Sequence, residues 1–175
     1  MSNDASSGPA ADDAVLKVIV YSDDRTVRHA VRLALGHKVA ADLPELEITE
    51  FATQAALVKA VDHEHFDLAV LDSEAVPAGG MGIAHQIKDE IPNPPAIVLL
   101  VARVADAWLA SWSNAEAISP FPVDPVRLPD TVAEVVRRVR RHESTQMLPE
   151  VFPAPGQSSR HGADDDHDVP EEMVH

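Results

Sequence analysis

Short apolar runs alternate with amphipathic stretches along the chain, and the alternation repeats five times. "LKVIVYSDD" (16–24) has strand length and ends in two acids. "RTVRHAVRLALG" (25–36) places Val27, Val31, Ala34 and Leu35 on one helical face, with Gly36 as a stop. "LEITEFA" (46–52) alternates apolar and polar positions like a half-exposed strand. "TQAALVKAVDHEH" (53–65) predicts a helix with Ala56, Leu57, Ala60 and Val61 inward. "FDLAVLD" (66–72) and "AIVLLVA" (96–102) are continuously apolar strands. Between them lie a loop, "SEAVPAGG" (73–80), and a helix, "MGIAHQIKDEI" (81–91), with Ile83, Ile87 and Ile91 inward. A short helix "DAWLASWSNA" (106–115), a short strand "AISPF" (117–121) and a last helix "DPVRLPDTVAEVVRRVRRH" (124–142) complete the pattern. The last helix has a stripe of Leu128, Val132, Val135, Val136 and Val139.

Unbroken Val/Ile/Leu strands are what a sheet covered on both faces requires. Right-handed crossovers then predict an α/β fold with a five-stranded, parallel, doubly wound sheet over residues 15–142. Ligands gather outside the carboxyl ends of the strands in such sheets. Asp23 and Asp24 end the first strand and Asp72 ends the third, so three carboxylates from distant parts of the chain are expected at one edge. Their convergence fits a site better than three independent strand caps.

Composition changes this picture mainly at the ends. Residues 1–14 are small and polar and predict a flexible arm, and residues 143–175 predict an acidic tail with four prolines and no periodic apolar face. Of the formal net charge of -15, residues 1–13 carry -3, residues 143–175 carry -7 and the middle carries -5. Acidic tails speak to solubility and partner choice, and an acidic chain is repelled by nucleic-acid phosphates, so no nucleic-acid partner is expected. The absence of cysteine excludes disulfides and thiolate metal sites. No stretch approaches the ~18 consecutive apolar residues of a membrane span, and the first residues have no signal-peptide pattern. A cytoplasmic protein without direct membrane insertion is expected.

The ordered set of features resembles the receiver domain of two-component response regulators (CheY-like, with a flavodoxin-like fold) across residues 15–142. The resemblance rests on five β-α units, an acidic pair after the first strand and an aspartate ending the third. Gly80 also stands eight residues after Asp72, followed by Ile83, Ala84, Ile87 and Lys88, and "FPVDPVRL" (121–128) is similar to the family's "KPFDPEEL". The resemblance implies that Asp72 is the phosphoacceptor-equivalent residue, with a histidine kinase as donor. It also implies that Asp23, Asp24 and Asp72 form a Mg²⁺ site, Asp24 binding directly and Asp23 largely through water. A hard cation wants oxygen ligands and neutralises charge on a transferred phosphoryl group.

The chain departs from the family at the switch positions. Val101 stands where a Ser/Thr ends strand four, Phe121 where a Lys precedes a proline at the end of strand five, and Ile118 where the switch aromatic sits. The loop proline comes one place late, at Pro77. No Lys or Arg lies between Arg103 and Arg127 to serve in any register. Val donates no hydrogen bond and Phe carries no charge, and each unpaired buried polar group costs roughly 1–3 kcal/mol.

Other features admit two readings each. Trp108 and Trp112, four residues apart, either cover the sheet or anchor a partner. Arg137, Arg138, Arg140 and Arg141 fit the favourable placement of cations at a helix C-terminus better than a basic docking patch. His161, Asp164, Asp165, Asp166 and His167 fit a solvated acidic tail better than a metal site. In "MLPEVFPAP" (147–155), Met147, Leu148, Val151 and Phe152 fit a strap that orders on a partner better than a plain linker.

The expectation is therefore a non-enzymatic, atypical stand-alone receiver that acts as a protein-binding regulatory or accessory module without ordinary phosphorylation switching, Mg²⁺ being optional. The resemblance extends to actinobacterial orphan receivers, some encoded beside the respiratory NADH:quinone oxidoreductase. That complex is then an expected partner, holding the chain peripherally at the inner face of the cell membrane. The alternative is a functional phosphoacceptor phosphorylated on Asp72 in a two-component relay. A dehalogenase-type phosphatase is disfavoured, because "DSE" offers Glu74 where that family has a second aspartate, and no suitable Lys follows.

Overall fold

The computed structural model of the chain describes residues 15–102 and 108–141. The elements run β1 (Leu16–Tyr21), α1 (Arg25–Leu35), β2 (Leu46–Phe51), α2 (Gln54–His63), β3 (Leu68–Asp72), α3 (Gly80–Glu90), β4 (Ala96–Val101), α4 (Leu109–Trp112), β5 (Ala117–Pro120) and α5 (Arg127–Arg140). The strands form one sheet in the order β2-β1-β3-β4-β5, and every pairing is parallel. This is the doubly wound α/β architecture that the periodicity implies.

The period of two sends alternate strand residues to opposite faces. Val18, Val20, Val70, Val98 and Leu100 join Val27, Val31 and Leu35 of α1 and Leu128, Val132 and Val135 of α5 in one core layer. Ile19, Tyr21, Leu71, Ile97 and Leu99 join Leu57 and Val61 of α2 and Ile83, Ala84 and Ile87 of α3 in the other. β3 and β4 are buried along their whole length, whereas β2, an outer strand, is partly buried except at Glu47 and Glu50, which are exposed.

Caps set several element ends. Asp24 stands at the N-cap of α1 and accepts from the Thr26 N–H at 2.7 Å. Gly36, at φ +59, closes that helix in a conformation few other residues adopt at low cost. Thr53 caps α2, accepting from the Ala56 N–H at 3.4 Å. Asp124 accepts from the N–H groups of Val126 and Arg127 at 2.8 and 2.9 Å, which holds its carboxyl below the usual carboxylate range.

Several boundaries differ from the sequence pattern for local reasons. β1 stops at Tyr21 rather than running on through Asp24, because Ser22 Oγ accepts from the Asp24 N–H at 3.0 Å and turns the chain into α1. α5 begins at Arg127 rather than Asp124, since Asp124 is spent on capping. α4 spans four residues, after which Asn114 turns the chain at φ +58. Ala56 is exposed, and Leu57 and Val61 carry the packing of α2. Val139 is likewise exposed. At that end of α5 the inward place belongs to Arg138, whose stem is buried and whose guanidinium donates to the Glu116 carbonyl at 3.2 Å.

The arginine run is thus partly spent on internal contacts. Arg137 meets the Asp42 carboxylate through two bonds, at 2.8 and 2.6 Å, and ties the α1–β2 loop to α5. Among the described residues no helix is long and apolar enough to cross a membrane. The arm at 1–14, the tail at 142–175 with Met147, Leu148, Val151 and Phe152, and residues 103–107 lie outside the described residues.

Candidate functional site at the carboxyl edge of the sheet

The site is built where β1 and β3 end side by side. Tyr21 pairs with Leu71, so the next residues along, Ser22 and Asp72, are neighbours. Asp72 closes a wholly apolar strand and is only 3% exposed. Its carboxylate is held by two donors: the Ser22 hydroxyl reaches Oδ2 at 2.8 Å, and the Glu74 N–H reaches Oδ1 at 2.9 Å. Ser22 is itself fully buried. A buried carboxylate needs such partners.

Ser22 is held in turn by Arg28 of α1. The Arg28 Nη1 donates to the carbonyls of Ser22 at 2.6 Å and Asp23 at 3.3 Å, while its Nε lies 3.4 Å from Glu50 Oε2. Tyr21 ties the end of β1 to the loop after β3, its hydroxyl donating to the Ala78 carbonyl at 2.7 Å. Burial pushes the Tyr21 phenol above its ordinary value, and the nearby charges of Asp23 and Asp72 push it in the same direction. Gly80 completes the cradle: a Cβ there would lie 2.8 Å from the Asp72 carbonyl oxygen.

Asp23 and Asp24 lie past the strand end and are exposed. The side chain that touches Asp72 is Ser22, one place before the acidic pair, while Asp24 caps α1. The three carboxylates fit a hard cation in kind. No group of three His, Cys, Asp or Glu among the described residues is gathered as a ready cation site.

The switch positions are apolar and packed. Val101 and Ile118 are 6% and 8% exposed and belong to the layer under α2 and α3. Phe121 packs partly buried against the opposite layer, and its N–H donates to the Val101 carbonyl at 3.0 Å. Beyond them, Asp72, Leu100 and Ser119 lie in one row across β3, β4 and β5. Ser119 is fully buried and its hydroxyl has no hydrogen-bond partner among the described residues. Trp108 and Trp112 are half exposed, and Trp112 stacks on His85 of α3.

Ser22, Arg28 and Tyr21 were not picked out from the sequence as site residues. The signal for Ser22 is its place as the first polar residue after "LKVIVY", where the backbone turns. Two acids immediately downstream outweigh it to the eye.

No protein-family model matches the chain. Two uncharacterized response regulatory proteins of Mycobacterium tuberculosis, from strains CDC 1551 and H37Rv, are each 48% identical to it over 122 residues, covering 70% of this chain and 92% of theirs. The chain belongs to the response regulator family. The part described here is its receiver domain. Solved receivers share the fold at lower identity. The response regulatory domain of protein mrkE from Klebsiella pneumoniae superposes with a TM-score of 0.61 at 20% identity, covering 72% of this chain and 99% of that one. A BeF3-activated DrrB receiver domain gives 0.58 at 22%, covering 71% and 100%.

Proposed function

We propose that this receiver is a protein-binding regulatory module that does not switch by ordinary phosphorylation of Asp72. The observation that carries the reading is the surroundings of that carboxylate. Ser22, a neutral hydroxyl, sits against Asp72. Val101 and Phe121 fill the switch positions with packed hydrocarbon. A phosphoryl group on Asp72 would find no hydroxyl at Val101 and no cation at Phe121, and unpaired charge at a buried edge is costly. Asp23, Asp24 and Asp72 would hold a Mg²⁺ through their carboxylate oxygens once the two exposed acids turned toward Asp72. Bound there, it would neutralise phosphoryl charge. Ser22 would still offer its hydroxyl, and Arg28 would still hold the loop.

The test is acetyl phosphate with Mg²⁺. No lasting phosphoryl should accumulate on the full chain. A stable acyl phosphate that disappears in Asp72→Asn sinks the reading and establishes the second one, a working phosphoacceptor served by a histidine kinase. One observation favours that second reading: Asp72 keeps its place at the strand end with Gly80 pressed against its backbone, as an acceptor cradle requires.

The partner is a protein surface rather than nucleic acid, as the net charge of -15 favours. Resemblance to receivers encoded beside the respiratory NADH:quinone oxidoreductase makes that complex the first to test, by co-purification with the full chain. Its recovery would place the chain peripherally at the inner membrane face.

A further inference from the structure

Trp108 and Trp112 are 50% and 55% exposed at the two ends of one helical turn. Spacing of four puts both indoles on one face. Trp112 is also fixed in place: its ring stacks on His85 with centroids 4.2 Å apart and planes 23° apart. One side of that indole is therefore held, while much of the rest meets solvent. A rigid aromatic platform loses little conformational freedom when something covers it.

The course of the chain indicates what covers it. Arg138, in the last turn of α5, donates at 3.2 Å to the carbonyl of Glu116, the residue from which the chain leaving α4 enters β5, so the end of α5 lies at the amino edge of the sheet. A relay of contacts leads on from there. The Glu116 carboxylate meets Lys88 of α3 at 2.5 Å. His85, one turn before Lys88 on the same helix, carries Trp112. The end of α5 thus lies one short relay from the exposed indole.

Past Arg141 the chain has one apolar segment, "MLPEVFPAP" (147–155). Six steps separate Arg141 from Met147, and extended chain covers roughly 20 Å over six residues. That is enough to round the outer strand β5. Met147, Leu148, Val151 and Phe152, set among Pro149, Pro153 and Pro155, make an apolar strip punctuated by prolines. Extended proline-containing strips dock on aromatic surfaces. We propose that residues 147–155 fold back as a strap over Trp108 and Trp112 of the same chain. A protein partner that uses this face must then displace the strap. The proposal stands apart from how Asp72 is used.

Trp108 and Trp112 are the two tryptophans of the chain, so intrinsic emission reads this face directly. The full chain is compared with Leu148→Asp/Phe152→Asp. In the variant, emission should move to longer wavelength and the acrylamide quenching constant should roughly double, since a docked apolar strip keeps water from one ring face. The difference should be the same at every protein concentration, and excess synthetic peptide 147–155 should reverse it. Identical emission and quenching in the two chains overturn the proposal. So does protection in the natural chain that fades on dilution, because a second copy then occupies the face.

Discussion

The Ser22 hydroxyl donates to Asp72 Oδ2 across 2.8 Å, with both residues buried where β1 and β3 end. The same Ser22 oxygen accepts from the Asp24 N–H, so one side chain shapes the turn into α1 and satisfies the carboxylate. A second acid in its place would set two carboxylates against each other until a cation arrived. The natural arrangement closes this edge by hydrogen bonds.

Replacing Ser22 separates these roles. Ser22→Asp should lower stability in chelator by about 1–3 kcal/mol, the cost of losing a donor to a buried charged group. Mg²⁺ should then restore much of that loss, because a ligand that binds the folded state stabilises it by mass action. Ser22→Ala should show a loss of similar size with no such recovery. Urea unfolding with and without Mg²⁺ checks both. Equal Mg²⁺ stabilisation of the natural chain and Ser22→Asp would mean that the side chain at position 22 does not adjoin a cation at this edge.

The five strands and their helices are legible because continuous aliphatic runs and helical stripes have different periods, and buried layers on both faces demand both. Leu57 and Val61, or Val132 and Val135, are inward in the sequence pattern and in the fold alike. Single-residue matters are less legible. Strand side chains alternate faces, so a shift of one place changes which group meets Asp72. Asp23 and Asp24 attract attention by their charge, yet backbone hydrogen bonding makes Ser22 the contact and Asp24 the cap. Arg138 replaces Val139 at the end of α5 for a similar reason: the carbonyl of Glu116, remote in sequence, draws it inward.

Gly80 and Gly82 differ sharply in their surroundings, although both lie in the first turn of α3. A Cβ at Gly80 would sit 2.8 Å from the Asp72 carbonyl oxygen and 2.9 Å from Leu71 Cβ. At Gly82 nothing lies within 4 Å. Gly80→Ala should therefore cost about 1–3 kcal/mol through forced repacking under the site. Gly82→Ala should add about 0.5–1 kcal/mol by restricting the unfolded chain. Opposite shifts in urea midpoint are expected, and shifts of the same sign would contradict the close approach of α3 to β3.

Tyr21 is the single tyrosine, so tyrosinate absorbance titrates it without ambiguity. Burial, Asp23 and Asp72 all disfavour its anion, which raises the midpoint above the ordinary value of 10.0. Its contribution to stability is full below that unfolded value and is lost as pH rises through the folded one. Asp72→Asn removes one of the charges and should bring the midpoint down part of the way, leaving the effect of burial. An unchanged midpoint in that variant would mean that the phenol and the carboxylate do not share this edge.

Asp42 and Arg137 give the fold an acid-sensitive tie. The paired guanidinium holds the Asp42 carboxyl down at about 2, against an ordinary 3.8. A depressed folded value means that the stabilisation is present above the unfolded value and is lost as pH falls from roughly 4 towards 2. The pair is exposed, so salt weakens it. The urea midpoint of the natural chain should exceed that of Asp42→Asn at neutral pH and low salt. The gap should narrow across that acid window and, separately, on adding salt to about 1 M, where the screening length falls to ~3 Å. A gap that persists unchanged at pH 2 would mean that Asp42 stabilises the α1–β2 loop by something other than its charge.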